Sequence, residues 1–463
     1  MSKVIYSRRT FIRQNTLAGA GMAVMPLVSM KTASKKNEDT VLRISVFDMD
    51  ATPPVGSYLT YDQMIGSYDL GLRAKGMVLL GAGSPVVLCA IDWIGIANES
   101  QDVFKQTLAE AAHTTPDRVA VHTLHQHDAP ICDFSAEKVL REAGVEPKSF
   151  DSTFARQFLE RLGKTVAESL TRQRDVTRIG LGKAPVYQVA SNRRIVRNGK
   201  VGTMRATACK DASLRAEPEG LIDPDVTLIS FWNDQSPVAV LTFYATHPQS
   251  YYLTKIANPD FPGIARFYRQ LAVPDALHIH FNGAGGNIGA GKYNDGSHEN
   301  RLILARRLAD GMERAWQNSV VAPVFSSQVS WETLPVLLPV AENLEERVES
   351  QMKTADMHFL TNNMSKLIWM RRRQAGKAID IACLKIGKAG VLFMPGELFV
   401  EYQLAAKALR PEMALSMAAY GDYGPFYIGT KEAYSQGGYE IGASPVSPDA
   451  EDVLMDTIRK LLR

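Results

Sequence analysis

Apolar residues occur along this chain in two patterns, short continuous runs and longer amphipathic stretches. Residues 42–46, 76–80 and 85–91 are mainly apolar runs, which is typical of buried strands. The last two runs flank the turn sequence Gly-Ala-Gly-Ser and predict a hairpin that ends at Asp92. Residues 99–113 carry apolar side chains at helical spacing and predict an amphipathic helix. The chain therefore opens with mixed β and α structure.

The same two patterns alternate through the rest of the chain. Helices are predicted at 150–172, 264–271, 300–316, 342–373, 398–409 and 449–462. Strands are predicted at 118–121, 178–186, 228–232, 238–244, 278–281, 382–386 and 389–394. A turn is predicted at 258–263, and strand with loop at 320–339. We expect the long charged helix at 342–373 to be a surface element or a lid support rather than part of a site. The predicted fold class is α+β, with mixed β-sheet layers and flanking helices.

Composition and charge fit an ordinary globular protein and exclude some classes of partner. The chain of 463 residues has 52 Lys and Arg against 49 Asp and Glu, and its basic residues are scattered, so no nucleic-acid partner is expected. The four cysteines, Cys89, Cys132, Cys209 and Cys383, form no Cys-x-x-Cys pair, which excludes a local zinc knuckle or redox motif. We expect them to be mostly buried thiols.

Residues 1–40 carry the pattern of an export signal and a linker. The run Ser7-Arg8-Arg9-Thr10-Phe11-Ile12-Arg13 resembles a twin-arginine signal, and the mildly apolar segment 17–30 is too short for an ordinary membrane span. A basic amphipathic N-terminal helix is the alternative. With cleavage near Ala33, we expect the twin-arginine translocase as a partner during export, a periplasmic or secreted location, no stable membrane span, and a single domain at 41–463.

Three of the nine histidines lie within one short segment, Val-His-Thr-Leu-His-Gln-His-Asp-Ala-Pro at 121–130. On an extended strand end, His125 and His127 leave the same face and can converge on one metal ion or one substrate, whereas His122 points elsewhere. Pro130 stops the strand, so the pair stands where a strand opens into a loop. A pair of hydrogen-bonded structural histidines is the alternative.

Two other candidate ligands follow predicted strands. His247 ends a strand and precedes Pro248, as His125 and His127 do before Pro130, and a metal centre assembled from distant segments would have this pattern. A satisfied core histidine is the alternative. Glu397 stands at a strand-to-helix junction, where a carboxylate is also favoured simply by the helix dipole.

Four further segments have candidate roles in binding or packing. Arg193 can hold a carboxylate or a polar head group, although a solvated basic loop is the ordinary interpretation. The glycine-rich run 282–289 can present N–H groups to an oxyanion, and its spacing does not fit a dinucleotide loop. His278 and His280 share one strand face and are expected to pack in the core. A glycine-rich segment is expected to form a site wall with its tyrosines, Tyr423, Tyr427, Tyr434 and Tyr439.

Together these segments resemble, in order, the catalytic domain of the neutral/alkaline (non-lysosomal) ceramidases. The resemblance covers roughly residues 42–463, without the C-terminal immunoglobulin-like domain of that family, and rests on Asp50 to Gly56, His125 to Pro130, Asn192-Arg193, Thr246-His247-Pro248, Phe261-Pro262-Gly263, Pro395-Gly396-Glu397 and the segment 427–439. It implies a ceramidase-like catalytic domain.

The resemblance also implies site residues. One zinc ion would be held by His125, His247, Glu397 and Tyr427, while His127, Arg193 and Tyr439 would act on the substrate carbonyl. Gly286, Asn287 and Gly289 would form the substrate and oxyanion loop. A mixed set of nitrogen and oxygen ligands suits zinc, which lowers the pKa of a bound water from about 16 to about 7.

The implied activity is hydrolysis of an amide, such as the N-acyl bond of a ceramide-like lipid or small molecule. Two positions depart from the family, because Gly289 stands where the family has a serine and Asp128 replaces the usual serine after the histidine pair. These departures leave two alternatives. One is a metal-dependent enzyme that acts on a carbohydrate or ester substrate on the same scaffold, and the other is a binding protein without catalysis.

Overall fold

The computed structural model describes residues 40–354 and 357–463, and within these ranges it describes every side chain except those at 349 and 351–362. Residues 1–39 of the predicted export signal, with the expected cleavage near Ala33, lie outside the described residues.

Three large sheets form the framework of the described chain. Sheet 1 consists of β1 (Leu42–Asp50), β2 (Arg73–Leu80), β3 (Val86–Ile91), β4 (Val119–Thr123) and β5 (Arg174–Val176). Sheet 2 consists of β6 (Arg178–Pro185), β7 (Asp225–Asn233), β8 (Ser236–Tyr244), β9 (Leu277–Asn282) and β10 (Val320–Pro323). Sheet 3 consists of β11 (Val329–Val336), β12 (Ile379–Ile386), β13 (Ala389–Phe393) and β14 (Ala414–Ala418). The spatial orders are β4-β3-β2-β1-β5, β9-β8-β7-β6-β10 and β11-β12-β13-β14.

Helices and short strands connect and cover these sheets. The helices are α1 (Glu99–Ala111), α2 (Phe134–Glu142), α3 (Thr153–Ser169), α4 (Ala212–Ala216), α5 (Asp260–Ala272), α6 (Glu299–Gln317), α7 (Leu344–Thr354), α8 (Met357–Gln374), α9 (Val400–Leu409), α10 (Lys431–Gln436), α11 (Tyr439–Ala443) and α12 (Ala450–Leu461). A ribbon pairs Arg194–Arg197 with Lys200–Met204, and two-residue strands pair Gly66–Ser67 with Ile256–Ala257, Gly95–Ile96 with Ile131–Cys132, Ser191–Asn192 with Ile288–Gly289, and Glu397–Leu398 with Tyr427–Ile428.

The three sheets repeat one local arrangement. In each, an antiparallel hairpin (β2-β3, β7-β8 and β12-β13) is followed by a helix (α1, α5 and α9) and then by a strand that pairs in parallel with the second strand of the hairpin. A parallel pair directs the carboxyl ends of both strands to one edge of its sheet, where ligands commonly bind. His125 follows β4, His247 follows β8 and Glu397 follows β13, so the candidate ligands come from the same kind of edge in each sheet.

The sheets share a central core, and helices cover their other faces. Leu88 of sheet 1, Leu241 of sheet 2 and Val391 of sheet 3 belong to one fully buried cluster. Because these strands are covered on both faces, their sequences are nearly continuous apolar runs. On the outer faces, α1 and α3 pack on sheet 1, α5 and α6 on sheet 2, and α9 and α12 on sheet 3. Burying one phenylalanine such as Phe104 or Phe158 in these layers contributes about 2–3 kcal/mol.

The structure confirms the predicted α+β class with mixed sheets and flanking helices, and it corrects some boundaries. The helix predicted at 150–172 begins at Thr153, whose N–H bonds to the carboxylate of Asp151. Pro262 and Gly263 lie in the first turn of α5 rather than in a turn before it, since proline needs no N–H donor there. The charged stretch 342–373 contains two helices, α7 and α8, instead of one.

Three further findings concern membrane-spanning helices, the four cysteines and the two histidines expected in the core. No helix of the described chain is both long and apolar enough for a membrane crossing. Cys89, Cys132, Cys209 and Cys383 are buried free thiols, as predicted. His278 and His280 are buried in the core, with 4% and 0% of their surfaces exposed, which confirms their predicted packing role.

Candidate active site

His125 is fixed by the backbone that follows β4. The chain leaves sheet 1 at Thr123, and His125 adopts a left-handed conformation with φ of +66°. Its N–H bonds to the carbonyl of Trp93, and its Nδ1 lies 2.7 Å from the carbonyl oxygen of Ile94. A carbonyl only accepts, so Nδ1 carries the proton and the Nε2 lone pair is free to bind a cation.

His247 is held in the same way from sheet 2. Its Nδ1 lies 2.8 Å from the carbonyl oxygen of Gly285, so Nδ1 again donates and Nε2 is the acceptor. Its main-chain N–H bonds to the carbonyl of Ile288. The glycine-rich loop after β9 therefore sets both the position and the tautomer of His247. Burial lowers the pKa of His247 to about 4, so the ring is neutral at pH 7.

Glu397 completes the group from sheet 3. Gly396 turns the chain with φ of +60°, and any Cβ there would lie 2.5 Å from the carbonyl oxygen of Phe426, which explains the glycine. Oε1 of Glu397 accepts a 2.8 Å hydrogen bond from the hydroxyl of Tyr423. Its Oε2 lies 3.4 Å from Nε2 of His125 and 3.2 Å from Nε2 of His247.

With Nδ1 of each imidazole engaged by a carbonyl, the two facing Nε2 atoms and Oε2 of Glu397 are all acceptors, an arrangement that a shared cation would stabilise. Oε2 of Glu397 has no hydrogen-bond partner within the described part of the chain. Ligands at about 2.0–2.1 Å from a tetrahedral zinc ion lie about 3.4 Å apart, which matches the observed spacing. The residues present therefore fit a zinc ion.

His127 lies beside this group but differs from its members. Ring nitrogens of His125, His127 and His247 lie within 4.8 Å of one another, so His127 is close enough to be a further ligand. Its Nδ1, however, is buried without a hydrogen-bond partner among the described residues, so no second bond orients its ring as Ile94 and Gly285 orient the others. Burial and the adjacent imidazoles lower the pKa of His127 well below the ordinary value. The imidazole of His127 is therefore neutral at pH 7.

Tyr427 and Tyr439 lie on the side of the group that faces the open cleft. Tyr427 pairs with Glu397 across two short parallel strands, and its ring lies 6.4 Å from that of His247. The ring of Tyr439 lies 5.8 Å from Tyr427, and its side chain is exposed at the rim. Burial and the carboxylate of Glu397 raise the pKa of Tyr427, so this phenol is protonated at neutral pH in the metal-free protein.

Arg193 does not occupy the position expected from the sequence. It is buried, which rules out the solvated basic loop, but it is absent from the cleft wall. Its guanidinium lies behind Tyr427 and contacts the hydroxyl of Tyr427 at 3.3 Å, the carbonyl of Gly286 at 2.5 Å and the carboxylate of Glu440 at 3.3 Å. Arg193 therefore contacts and positions Tyr427, and it is not among the described residues that line the cleft.

The predicted oxyanion loop is also engaged elsewhere. The N–H of Gly286 bonds to the carbonyl of Leu398 at 2.9 Å, and a Cβ at Gly286 would lie 2.2 Å from the carbonyl oxygen of Glu397. The side chain of Asn287 bonds to Glu401 and to the N–H of Val400, and Gly289 pairs with Ser191. The loop supports Glu397 and His247 from behind, and the N–H of Gly286 is engaged there.

Two further residues have structural roles. The carboxylate of Asp128, which stands at the family's serine position, accepts hydrogen bonds from the N–H of Leu253, the hydroxyl of Thr254 and the amide of Asn258. It thereby fastens the His127 loop to the loop after β8. Tyr434, expected in the site wall, instead donates its hydroxyl to the carbonyl of Val446, away from the cleft.

A cleft of about 490 Å³ opens onto these groups. Its wall includes residues that the sequence did not single out, namely Tyr61, Tyr252, Asn363, Lys366 and Phe426. Asn363 and Lys366 come from α8, so the charged stretch predicted as a surface element contributes to the site. Their spacing of three residues is the signal that predicts a shared helix face, but it does not indicate which face is covered.

A second, larger cavity of about 790 Å³ contains none of the candidate ligands. Its basic groups are already paired, with Arg73 and Lys75 bonded to Asp48, Arg266 to Asp92 and Arg301 to Asp260. The chemistry of the candidate ligands therefore makes the smaller cleft the candidate active site.

Comparison with known proteins supports the fold. No protein-family model matches the sequence, and no curated protein matches it. Among solved structures, the chain is similar to the neutral ceramidase from Pseudomonas aeruginosa, with a TM-score of 0.63, 16% sequence identity, and coverage of 91% of this chain and 74% of that one. It is also similar to a ceramidase complexed with C2, with a TM-score of 0.64, 15% identity and the same coverage. The chain therefore has the fold of the neutral ceramidases.

Proposed function

We propose that this protein is an exported, zinc-dependent hydrolase that cleaves an amide bond of an N-acyl compound. The observation that carries the proposal is that Oε2 of Glu397 lies 3.4 Å from Nε2 of His125 and 3.2 Å from Nε2 of His247, while His125 and Glu397 line a cleft. The twin-arginine pattern at Arg8 and Arg9 supports export before function in the periplasm or outside the cell.

His125, His247, Glu397 and Tyr427 would hold the zinc ion. Two imidazole nitrogens and two oxygens form a set that zinc accepts readily. When bound, zinc supplies a Lewis acid that polarises a carbonyl and makes water a nucleophile at neutral pH.

The side chains around this set have complementary roles in the proposed reaction. His127, which lines the cleft, accepts the proton of the attacking water on its imidazole and returns it to the leaving amine. Tyr439, protonated because its pKa is raised, donates a hydrogen bond to the carbonyl oxygen as negative charge develops there. Arg193 holds the hydroxyl of Tyr427, and Tyr423 holds the carboxylate of Glu397.

The composition of the cleft wall favours a second candidate, a metal-dependent enzyme that acts on a carbohydrate. An aromatic and polar wall is suited to sugars, whereas a tunnel of leucine and methionine is suited to long acyl chains. The wall has aliphatic groups at Ile94 and Ile131, but it is dominated by aromatic and polar side chains, Thr60, Tyr61, Tyr252, Asn363, Lys366, Tyr423, Phe426, Tyr427 and Tyr439.

Turnover by the zinc-loaded protein tests the proposal. The substrates are a fluorescent short-chain ceramide, soluble N-acyl amides, and nitrophenyl glycosides as the carbohydrate arm. We expect amide hydrolysis by the wild type and by Glu432→Gln, an exposed control, with a loss of at least a hundredfold in Glu397→Gln. Cleavage of glycosides alone would select the second candidate, and turnover by Glu397→Gln at the wild-type rate would refute both.

A further inference from the structure

The side chains of Asn363 and Lys366 on α8 enter the cleft, and neither has a hydrogen-bond acceptor for its side-chain nitrogen among the described residues. Asn363 and Lys366 are three residues apart on α8 and therefore share one helix face, and both line the same cleft as His125 and Glu397. Neither belongs to the candidate metal set. They add two polar groups to the cleft wall besides the candidate ligands.

Within the described residues, the hydrogen-bonding capacity of these two side chains is only partly used. Nζ of Lys366 lies 4.9 Å from the centroid of the Phe426 ring, a cation–π contact that leaves its N–H groups free to donate. Lys366 forms no ion pair with a carboxylate within residues 40–354 and 357–463. Asn363 is 1% exposed, and its Nδ2 has no hydrogen-bond partner among the described residues. A buried donor without an acceptor is unfavourable, and a bound acceptor would relieve this.

The charges on the cleft wall also favour a bound acceptor that is negatively charged. Glu397 is the one carboxylate among the described residues that line the cleft, and its oxygens already face Tyr423, His125 and His247. Burial, with a smaller effect of Arg347, lowers the pKa of Lys366 to about 8, so most of the amine is still charged at pH 7. Lys366 is therefore a positive group on this wall, and no carboxylate of the described residues lies within ion-pair distance of it.

We propose that Lys366 and Asn363 form a subsite for a carboxylate of the substrate, so that the natural amide is an N-acyl amino acid or a similar anionic amide rather than a neutral ceramide. This rests on the proposed function, because it assigns a substrate class to the same cleft. The two donors match the two oxygens of a carboxylate.

The geometry also sets where that carboxylate lies relative to the scissile bond. The ring of Phe426 contacts Lys366, the ring of Tyr423 lies 4.6 Å from that of Phe426, and the hydroxyl of Tyr423 bonds to Glu397. A substrate that reaches from the candidate metal ligands to Lys366 thus passes two aromatic rings. These rings would contact the apolar part of the molecule between its amide and its carboxylate.

A matched pair of ligands tests the subsite without requiring turnover. N-octanoylglycine and N-octanoylglycinamide differ only in the negative charge, and their binding to the zinc-loaded full chain is measured by calorimetry. We expect the wild type to bind the acid at least tenfold more tightly than the amide, as a charge-assisted hydrogen bond of about 1.5–3 kcal/mol requires. Equal affinities for the two ligands would overturn the subsite.

Variants assign the preference to Lys366. Lys366→Met, which keeps the length of the side chain, is expected to reduce the preference to less than threefold, and Lys366→Arg is expected to retain it. Lys138→Met, an exposed change on α2, is the control and should behave as wild type. If Lys366→Met binds the acid as selectively as wild type does, the assignment is wrong.

Hydrolysis of the same two compounds separates this inference from the proposed function. If both amides are hydrolysed and are bound equally, the amidase remains and the carboxylate subsite fails. If neither is hydrolysed but the acid is bound selectively through Lys366, the subsite remains and the amidase fails.

Discussion

The hydroxyl of Tyr423 donates a 2.8 Å hydrogen bond to Oε1 of Glu397, and this contact turns the other carboxylate oxygen toward His125 and His247. Each of the three candidate ligands thus has a partner behind it, since the two imidazoles donate to Ile94 and Gly285 in the same way. Groups that orient ligands in this manner raise metal affinity as well as geometric precision.

Tyr423→Phe is therefore expected to weaken zinc binding by about tenfold to a hundredfold, because Glu397 loses the bond that fixes its rotamer. The affinity is measured by competition with a chelator. Tyr434→Phe is the matched control, since it removes a tyrosine hydroxyl that bonds to Val446 outside the cleft. Equal zinc affinity in Tyr423→Phe and wild type would show that this hydrogen bond does not position the ligand.

Gly286→Ala is expected to displace Glu397 and abolish zinc binding at micromolar zinc. The added methyl would lie 2.2 Å from the carbonyl oxygen of Glu397, and a backbone atom cannot move aside as a side-chain tip can. Gly202→Ala, where the methyl would meet open space, is the control and should bind zinc normally. The prediction fails if Gly286→Ala folds and retains full zinc affinity.

Glu440→Gln is expected to lower the free energy of unfolding by about 3 kcal/mol. This carboxylate is fully buried and lies 3.3 Å from Arg193 and 3.2 Å from Arg194, so the change leaves two buried guanidinium groups without a counter-charge. Urea unfolding measures the effect, with the exposed Glu432→Gln as control. A change below about 0.5 kcal/mol would mean that Glu440 does not stabilise the arginines.

The metal-free protein is expected to lose stability between pH 7 and pH 5. Burial lowers the pKa of His280 to about 3, so the unfolded chain binds more protons than the folded chain once the pH falls below about 6.5. Stability is therefore fully present above that pH and falls as the pH is lowered toward 3, and His280 alone contributes a loss of about 2 kcal/mol at pH 5. Urea unfolding at both pH values should show a smaller loss in His280→Gln, and an identical loss would contradict the assignment.

The sequence indicated most of the elements because they are buried strands and amphipathic helices with strong periodicity. β3 and α1 were predicted within two residues of their observed ends, since continuous apolar runs and helical spacing depend on local sequence. Helix starts were less accurate, because a side chain such as the carboxylate of Asp151 decides where α3 begins. The way in which three sheets share one core depends on contacts between distant segments and was not predictable from local pattern.

In the candidate site, too, local sequence indicated some features, whereas others depend on contacts between distant segments. His125, His247 and Glu397 were recognisable because each follows a strand, and such ends meet when parallel pairs are arranged around a common core. The role of Arg193 was not recognisable from the sequence, because its burial behind Tyr427 depends on the pairing of two distant short strands. Lys366 was missed because a lysine within a charged helix has the same local pattern whether it faces solvent or a cleft.

Metal content is the measurement that tests the zinc centre most directly. His125 and His113 both adopt positive φ, at +66° and +55°, so His→Asn at either position places a residue that tolerates this backbone conformation. After loading with zinc and removal of excess, we expect about one zinc ion per chain in the wild type and in His113→Asn, and much less than one in folded His125→Asn. The same zinc content in His125→Asn as in the wild type, or no zinc in any of the three proteins, would contradict a metal centre at His125, His247 and Glu397.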